Sequence, residues 1–357
     1  MSSLKSSNEK ALTLYQDIGA ARSIDDLKVI SRGVLDAAAD AIRSDTTTQG
    51  VVQLISRLNN AITMQLILIL ENREGVRLPD GATLLALGSE GRGEQTLRTD
   101  QDSAIVYSDD FPTENLSYIE GFAIRLVEAL EEIGVPRCPG NIMVSNPVWR
   151  HSLTEWKRLV NRWISTPTPE NMLNFGIFQD LLPLHGSRSL GVELREYIRV
   201  TVHNSSHFFP NMACHAVRFP TGLGMFGRIR VERRGENRGK IDIKKAGIFA
   251  ITVGVSLLAL EIGCNSGTTW DKLAFLEKRK ILMPGDLAII EAAFDCLVHL
   301  RLQLQLQELL AGGTPTNHLD PLDMSNSDRK KFRQALKGVN TFLHIFNNHY
   351  KLHAISM

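Results

Sequence analysis

"LGSEGRGEQTLRTDQDSAIVY", residues 87–107, sets three glycines, two arginines and an Asp-x-Asp between two apolar runs. Side chains two apart on a strand share a face, so Asp100 and Asp102 are expected side by side where "SAIVY" begins a strand. Two carboxylates that close repel, and one of them would hold its proton to a higher pH. A divalent cation between them removes that cost, and an all-oxygen donor set favours Mg²⁺ or Mn²⁺.

The residues just upstream suit the other half of such a site. Gly88, Gly91 and Gly93 allow backbone conformations in which successive amides converge on an anion. Ser89 adds a hydroxyl, and Arg92 and Arg98 add positive charge. The spacing G-x-x-G-x-G is not the dinucleotide fingerprint, and no Gly-Lys-Ser/Thr follows as in a P-loop. By themselves the glycines say little. A strand, a Gly-Ser loop and T-D-x-D entering a second strand together say more: a cradle for a nucleoside triphosphate beside a metal.

Outward from this stretch, "ATLLALG" (82–88) reads as the preceding strand, after the turn "LPDG" (78–81). Residues 1–75 read as helical. Ser23 is an N-cap with Asp26 three residues on, and "VVQLISRLNNAITMQLILILENR" forms a long helix closed near Gly75. "NLSYIEGFAIRLVEALEEIG" predicts a helix ending at Gly134, and "SLTEWKRLVNRWI" another, capped by Ser152 with Glu155 at N3. "NIMVS" (141–145) is a candidate third strand. "FGIFQDLLPLHG" (175–186) reads as a strand carrying Asp180, with the end of a helix as the alternative. Beyond residue 190 helices dominate, broken by a Gly- and charge-rich stretch that predicts a hairpin near 226–244 and by "GGTPTN" at 312–317.

The bulk composition narrows the options. The chain has 357 residues, 43% hydrophobic and 22% charged, with 40 Lys and Arg against 39 Asp and Glu. That balance predicts neither a nucleic-acid nor a membrane-surface role. Cys138, Cys214, Cys264 and Cys296 lack metal-binding spacing and read as reduced thiols of a cytoplasmic protein. The apolar run at 246–260 is shorter than the roughly 20 residues of a membrane span and reads as a buried helix.

"GSEGRGEQTLRTDQDSAIVY" resembles the Gly-Ser…Asp-x-Asp signature of the DNA polymerase beta-like nucleotidyltransferase superfamily. Within it the chain resembles a nucleotidyltransferase family, often fused to CBS domains, that is similar to protein-PII uridylyltransferase and glutamine-synthetase adenylyltransferase. "CPGNIMVSNPVWR", "FQDLLPLHGSRSL", "GLGMFGRIR" and "IDIKKAG" follow in the family's order. The resemblance implies an α+β fold: a small mixed-sheet nucleotidyltransferase domain over 76–200, helices before it over 1–75, and a mostly helical domain over 201–357. It also implies catalytic and metal-binding roles for Asp100, Asp102 and a third carboxylate, matched here by Asp180. The family usually carries an arginine two residues beyond that aspartate; this sequence has Leu182. Gly88 and Ser89 match the phosphate-gripping pair, with Gly91, Arg92 and Arg98 beside them. The implied reaction moves a uridylyl or adenylyl group from a nucleoside triphosphate to a protein acceptor, such as a PII-like regulator in bacterial signalling, and releases pyrophosphate. A small-molecule acceptor, a non-catalytic nucleotide sensor and homo-oligomerisation stay open.

Three further groups have bland readings. His203, His207, Cys214 and His215 lack the H-E-x-x-H arrangement and read as polar helix residues. Arg228 and Lys244 stand out in a basic stretch that reads first as a solvated hairpin and second as a clamp on the nucleotide or on an acidic partner protein. Trp149, Trp156 and Trp163 read as packing.

Overall fold

The hydroxyl of Ser23 accepts the Asp26 N–H at 3.1 Å, and the Asp26 carboxylate accepts the Arg22 N–H at 2.9 Å, so the first long amphipathic helix starts where its sequence predicts. The computed structural model describes residues 2–44, 46–97, 100–217, 221–224 and 227–352. They divide into two compact units, one of residues 1–163 and 173–201 and the other of residues 164–172 and 202–357. The fold is α+β, with a small mixed sheet and a helical C-terminal region.

The first unit opens with α1 (Ser2–Ala20), α2 (Ile24–Arg43) and α3 (Thr48–Ile69), which continues as one wider helical turn over Leu70–Glu74 and stops at Gly75. Then come β1 (Ala82–Ala86), the short turn α4 (Gly88–Gly91), β2 (Ser103–Tyr107), α5 (Leu116–Glu132), β3 (Arg150–Ser152), α6 (Leu153–Ser165) up to residue 163, α7 (Pro169–Phe178) from residue 173, β4 (Leu182–Gly186) and α8 (Arg188–Thr201), residues 164–172 belonging to the second unit. The sheet order is β3-β2-β1-β4. β1 runs antiparallel to both neighbours, while β2 and β3 are parallel, with Ile105 opposite Arg150. Every residue of β1 is buried, as a central strand covered on both faces requires. Leu27 of α2 and Leu58 and Leu66 of α3 are fully buried in the same core.

Two expected strands fall elsewhere. Residues 141–145 form no strand; they run beside the start of β2, where the Ser103 N–H donates to Ile142 O at 3.1 Å. The third strand is instead the three-residue β3, followed at once by α6. There the reciprocal bonds of Ser152 and Glu155, 3.3 and 3.0 Å, complete the expected capping box. The "FGIFQDLLPLHG" segment is split: helix α7 ends at Phe178, Asp180 lies in a turn, and β4 starts only at Leu182. An apolar run carries no period of its own, so the boundary is set by packing.

The tryptophans are core. Trp149, Trp156 and Trp163 gather around Phe178, with Trp156 stacked on it at 4.4 Å between ring centroids. The Trp156 indole N–H donates to Ile105 O of β2 at 2.9 Å, which satisfies the one polar atom of a wholly buried ring.

The second unit holds α9 (Phe208–Ala216), β5 (Ile241–Asp242), α10 (Phe249–Glu261), α11 (Thr269–Lys278), α12 (Pro284–Leu310), β6 (His318–Leu319) and α13 (Asn326–His349). α10 is buried along nearly its whole length, and among the described residues no helix is long and apolar enough to cross a membrane. In the stretch where a hairpin is expected, near 226–244, the chain turns back at "RRGENRG". Glu232 and Lys240 close a loop around "RRGENRG" by a 2.8 Å backbone bond, but β5 pairs with β6 from beyond α12. The Asp242 carboxylate accepts the Lys245 N–H at 3.1 Å and turns the chain into a helical segment, which ends any second hairpin arm.

Trp156→Ala is expected to cost about 3–5 kcal/mol, the usual cost of removing a buried tryptophan. Urea unfolding followed by far-ultraviolet circular dichroism measures it.

Candidate active site

β1 delivers the chain to the loop, and β2 carries it away. Between them Leu87 N–H donates to Asp102 O at 2.9 Å, extending the β1–β2 pairing by one bond past the ladder. Asp100 and Asp102 therefore stand on the approach to β2 rather than within it. Gln101, between them, is buried and donates through Nε2 to Val127 O at 3.2 Å and Val135 O at 2.9 Å, as strand-like alternation of the three side chains would have it. With Gln101 anchored, the two carboxylates share the other side, as expected.

Gly88 takes a left-handed backbone, φ +55°, and a Cβ on it would stand 3.0 Å from Asp102 Oδ2. Only glycine lets that carboxylate lie over the start of the loop. Residues 88–91 then coil into one helical turn, closed by Gly91 N–H to Leu87 O at 3.0 Å and Glu94 N–H to Ser89 O at 2.8 Å. The amides that open a helical turn have no carbonyl before them to bond. Here they belong to Gly88 and Ser89, beside Asp102.

The loop is fastened on two sides. Gln95 N–H donates to Ser56 Oγ of α3 at 2.8 Å. Arg92, only 14% exposed, donates to Glu94 Oε2 at 3.0 Å and to Asp180 Oδ2 at 2.8 Å. Gly91 lies so close to the Asp180 backbone that a Cβ would come within 2.2 Å of its carbonyl oxygen. Burial opposes the Arg92 charge, but Glu94 and Asp180 outweigh it and hold the guanidinium protonated.

One donor atom each from Asp100, Asp102 and Cys138 lie within 4.8 Å of one another, and among the described residues this is the one group of its kind. Cys138 is buried. It arrives on the turn 138–141, where the Asn141 N–H donates to Cys138 O at 2.9 Å, and the segment beyond is pinned to Ser103 by the Val144 N–H bond to its Oγ. Two groups register the negative charge here. Glu90 is pushed up to about 8, by burial and then by Asp102 and Asp100. The Cys138 thiol is pushed up to about 12, by burial and then by Asp102. A site that raises both neighbouring acids is one whose charge a cation would offset, and the donor set fits a small divalent ion.

Asp180 stands outside that group, ion-paired with Arg92 and near-fully buried. Arg98 lies outside the described residues. His203 Nε2 is bonded to Glu261 O at 2.8 Å, and among the described residues no metal-ligating group forms around it. Arg228 shares a shallow depression of the second unit with Arg333 and Lys337. Sequence reasoning passes over Cys138 and Glu90. Glu90 lies inside the quoted motif, so a local signal exists for it; Cys138 is brought in only by the path of the chain.

Behind the loop, a cavity of about 60 Å³ opens towards Glu90, Asp100, Gln101 and Asn59. Ligand pockets run to about 300–1,000 Å³, so this space is of a size for water rather than for a nucleotide.

A Gly-Ser helical turn follows β1 and stands beside an Asp-x-Asp pair on the approach to β2, the arrangement that the resemblance in the sequence implies. Residues 33–170 match the family model described as "Putative nucleotidyltransferase DUF294", and residues 206–350 match that of the "Putative nucleotidyltransferase substrate binding domain". Together the matches take in most of the chain, which belongs to this nucleotidyltransferase family. No curated protein matches it.

Two outcomes follow from the electrostatics. Arg92→Met removes the guanidinium that bridges the buried Glu94 and Asp180 and is expected to destabilise the chain by about 3 kcal/mol in a urea titration, part of the charge at Asp180 still being offset by Arg195. Glu90 holds its proton up to about pH 8 when folded, against an ordinary value of 4.5. The folded state thus binds the extra proton between these values, and stability of the protein in EDTA falls as pH rises through that window. Glu90→Gln is expected to flatten this dependence, read as thermal midpoints from about pH 5 to about pH 9.

Proposed function

We propose that the chain transfers a nucleoside monophosphate, uridylyl or adenylyl, from a nucleoside triphosphate to a protein acceptor such as a PII-like regulator, with release of pyrophosphate. The observation that supports this most is the placing of Asp100 and Asp102 together beside the glycine turn that begins at Gly88. These two residues would hold Mg²⁺ or Mn²⁺, whose charge would offset that of the α-phosphoryl and of the departing pyrophosphate. Ser89 Oγ and the first amides of α4 are assigned to the β- and γ-phosphates, and Arg98 to the same phosphates. Arg92 braces the loop through Glu94 and Asp180, and its positive charge acts on the phosphates from that fixed position. Asp180 serves as its anchor, and the third-carboxylate role implied by the resemblance requires that ion pair to open. The reaction belongs to regulatory signalling in a bacterial cytoplasm.

One observation favours a second reading, nucleotide binding without transfer: the Arg92–Asp180 pair occupies the carboxylate that would complete the catalytic set.

Incubation with α-labelled nucleoside triphosphates, Mg²⁺ or Mn²⁺ and PII-like acceptors is expected to label the acceptor and release pyrophosphate. Asp100→Ala and Asp102→Asn should each lower the rate by roughly a hundredfold or more. Labelling that persists in both variants refutes the assignment; nucleotide binding without pyrophosphate release establishes the second reading.

A further inference from the structure

The metal site proposed above draws on oxygen donors alone, yet its third nearby donor atom is a sulfur. Cys138 Sγ lies within 4.8 Å of carboxylate oxygens of both Asp100 and Asp102. The three residues come from two separate stretches of chain, and Asp102 and Cys138 are each held by backbone contacts outside the group. Asp102 is held by the Leu87 bond to its carbonyl, and Cys138 by its own N–H to Met143 Sδ at 3.3 Å and by the Asn141 bond to its carbonyl. Cys138 is 9% exposed, whereas Asp100 and Asp102 are partly open to solvent. Sulfur thus forms the floor of the group and oxygen its rim.

We propose that Cys138 is a thiolate ligand of the cation held by Asp100 and Asp102, making this a mixed sulfur–oxygen site that prefers borderline divalent ions such as Zn²⁺ or Co²⁺ to Mg²⁺. The inference rests on the two aspartates forming a cation site at all. Ligand lengths of about 2.3 Å to sulfur and about 2.1 Å to oxygen set donors about 3.6 Å apart in a tetrahedral shell. The donor atoms already lie within 4.8 Å of one another, so closing to that shell needs movement of at most about an ångström, available to the two partly exposed carboxylates. On binding, the Cys138 S–H proton leaves to solvent as the metal–sulfur bond forms. Softer donors select against Mg²⁺, which demands oxygen and keeps its water shell. The remaining coordination positions, on the open carboxylate side, are those a phosphate oxygen can take.

The test is optical titration of the full chain with Co²⁺ under reducing conditions. Wild type is expected to show visible ligand-field bands together with a near-ultraviolet thiolate-to-cobalt charge-transfer band. Cys138→Ser should lose the charge-transfer band, keep the ligand-field bands and bind Co²⁺ roughly tenfold or more weakly, while Mg²⁺ affinity stays close to wild type. Asp102→Asn should weaken both sets of bands. Saturable Co²⁺ binding that depends on Asp102 but shows no charge-transfer band overturns the sulfur ligand and leaves the carboxylate site standing. A charge-transfer band that persists in Cys138→Ser overturns it too, by placing cobalt on another cysteine. Absence of any binding sensitive to Asp102 overturns the carboxylate site and this inference together. Cadmium NMR of the wild-type chain probes the same bond without a substitution: a directly bound sulfur shifts the cadmium resonance far from that of an all-oxygen shell, and a resonance in the all-oxygen range overturns the proposal.

Discussion

The site depends on Arg92. Its guanidinium joins Glu94, two residues on, to Asp180, 88 residues away along the chain, and does so with little exposure to solvent. Charges so little exposed are tolerated because each offsets the desolvation cost of the next, and Arg195 adds its own positive charge at Asp180. Their geometric effect is to press the Gly88–Gly91 turn against the segment that enters β4. Gly91 has no side chain because the Asp180 carbonyl occupies the place where one would be. The glycine turn, the Asp-x-Asp pair and the central strand between them are thereby fixed as one body.

Against that positive brace stands a concentration of negative charge. Asp100 and Asp102 come together where the chain enters β2, Glu90 responds by keeping its proton, and Cys138 closes the floor. A fold tolerates such self-repulsion where function uses it, since a strained electrostatic arrangement of this kind binds a cation more strongly than a relaxed one. The chain belongs to a nucleotidyltransferase family, and the cation proposed for this site would offset the charge of the phosphates in such a transfer.

Features decided by local chemistry were legible in the sequence. The Ser23 and Ser152 caps, the stop at Gly134, the buried α10 and the pairing of Asp100 with Asp102 all depend on residues a few positions apart. Features decided by distant partners were not. β3 is three residues long and exists because β2 lies beside it. Asp180 read as a strand residue because nothing nearby reveals its bond to Arg92. Cys138 carries no spacing signal, and the turn that places it against Asp102 is set by contacts with Ser103 and Met143. The turn around "RRGENRG" stands where the sequence places it, but the partner of β5 lies beyond α12 rather than next in sequence, and no local pattern announces it.

The anchoring of Gln101 has a consequence for how this motif can vary. Its amide faces two backbone carbonyls, so the position demands a donor, and a carboxylate there would confront two acceptors with nothing to offer either. Slipping the segment by a single residue would therefore fail twice over, by turning an acid inward among acceptors and by presenting an amide outward. The glutamine acts as a key that fits one frame, and the order acid, amide, acid is enforced from inside the protein as much as by whatever binds outside it.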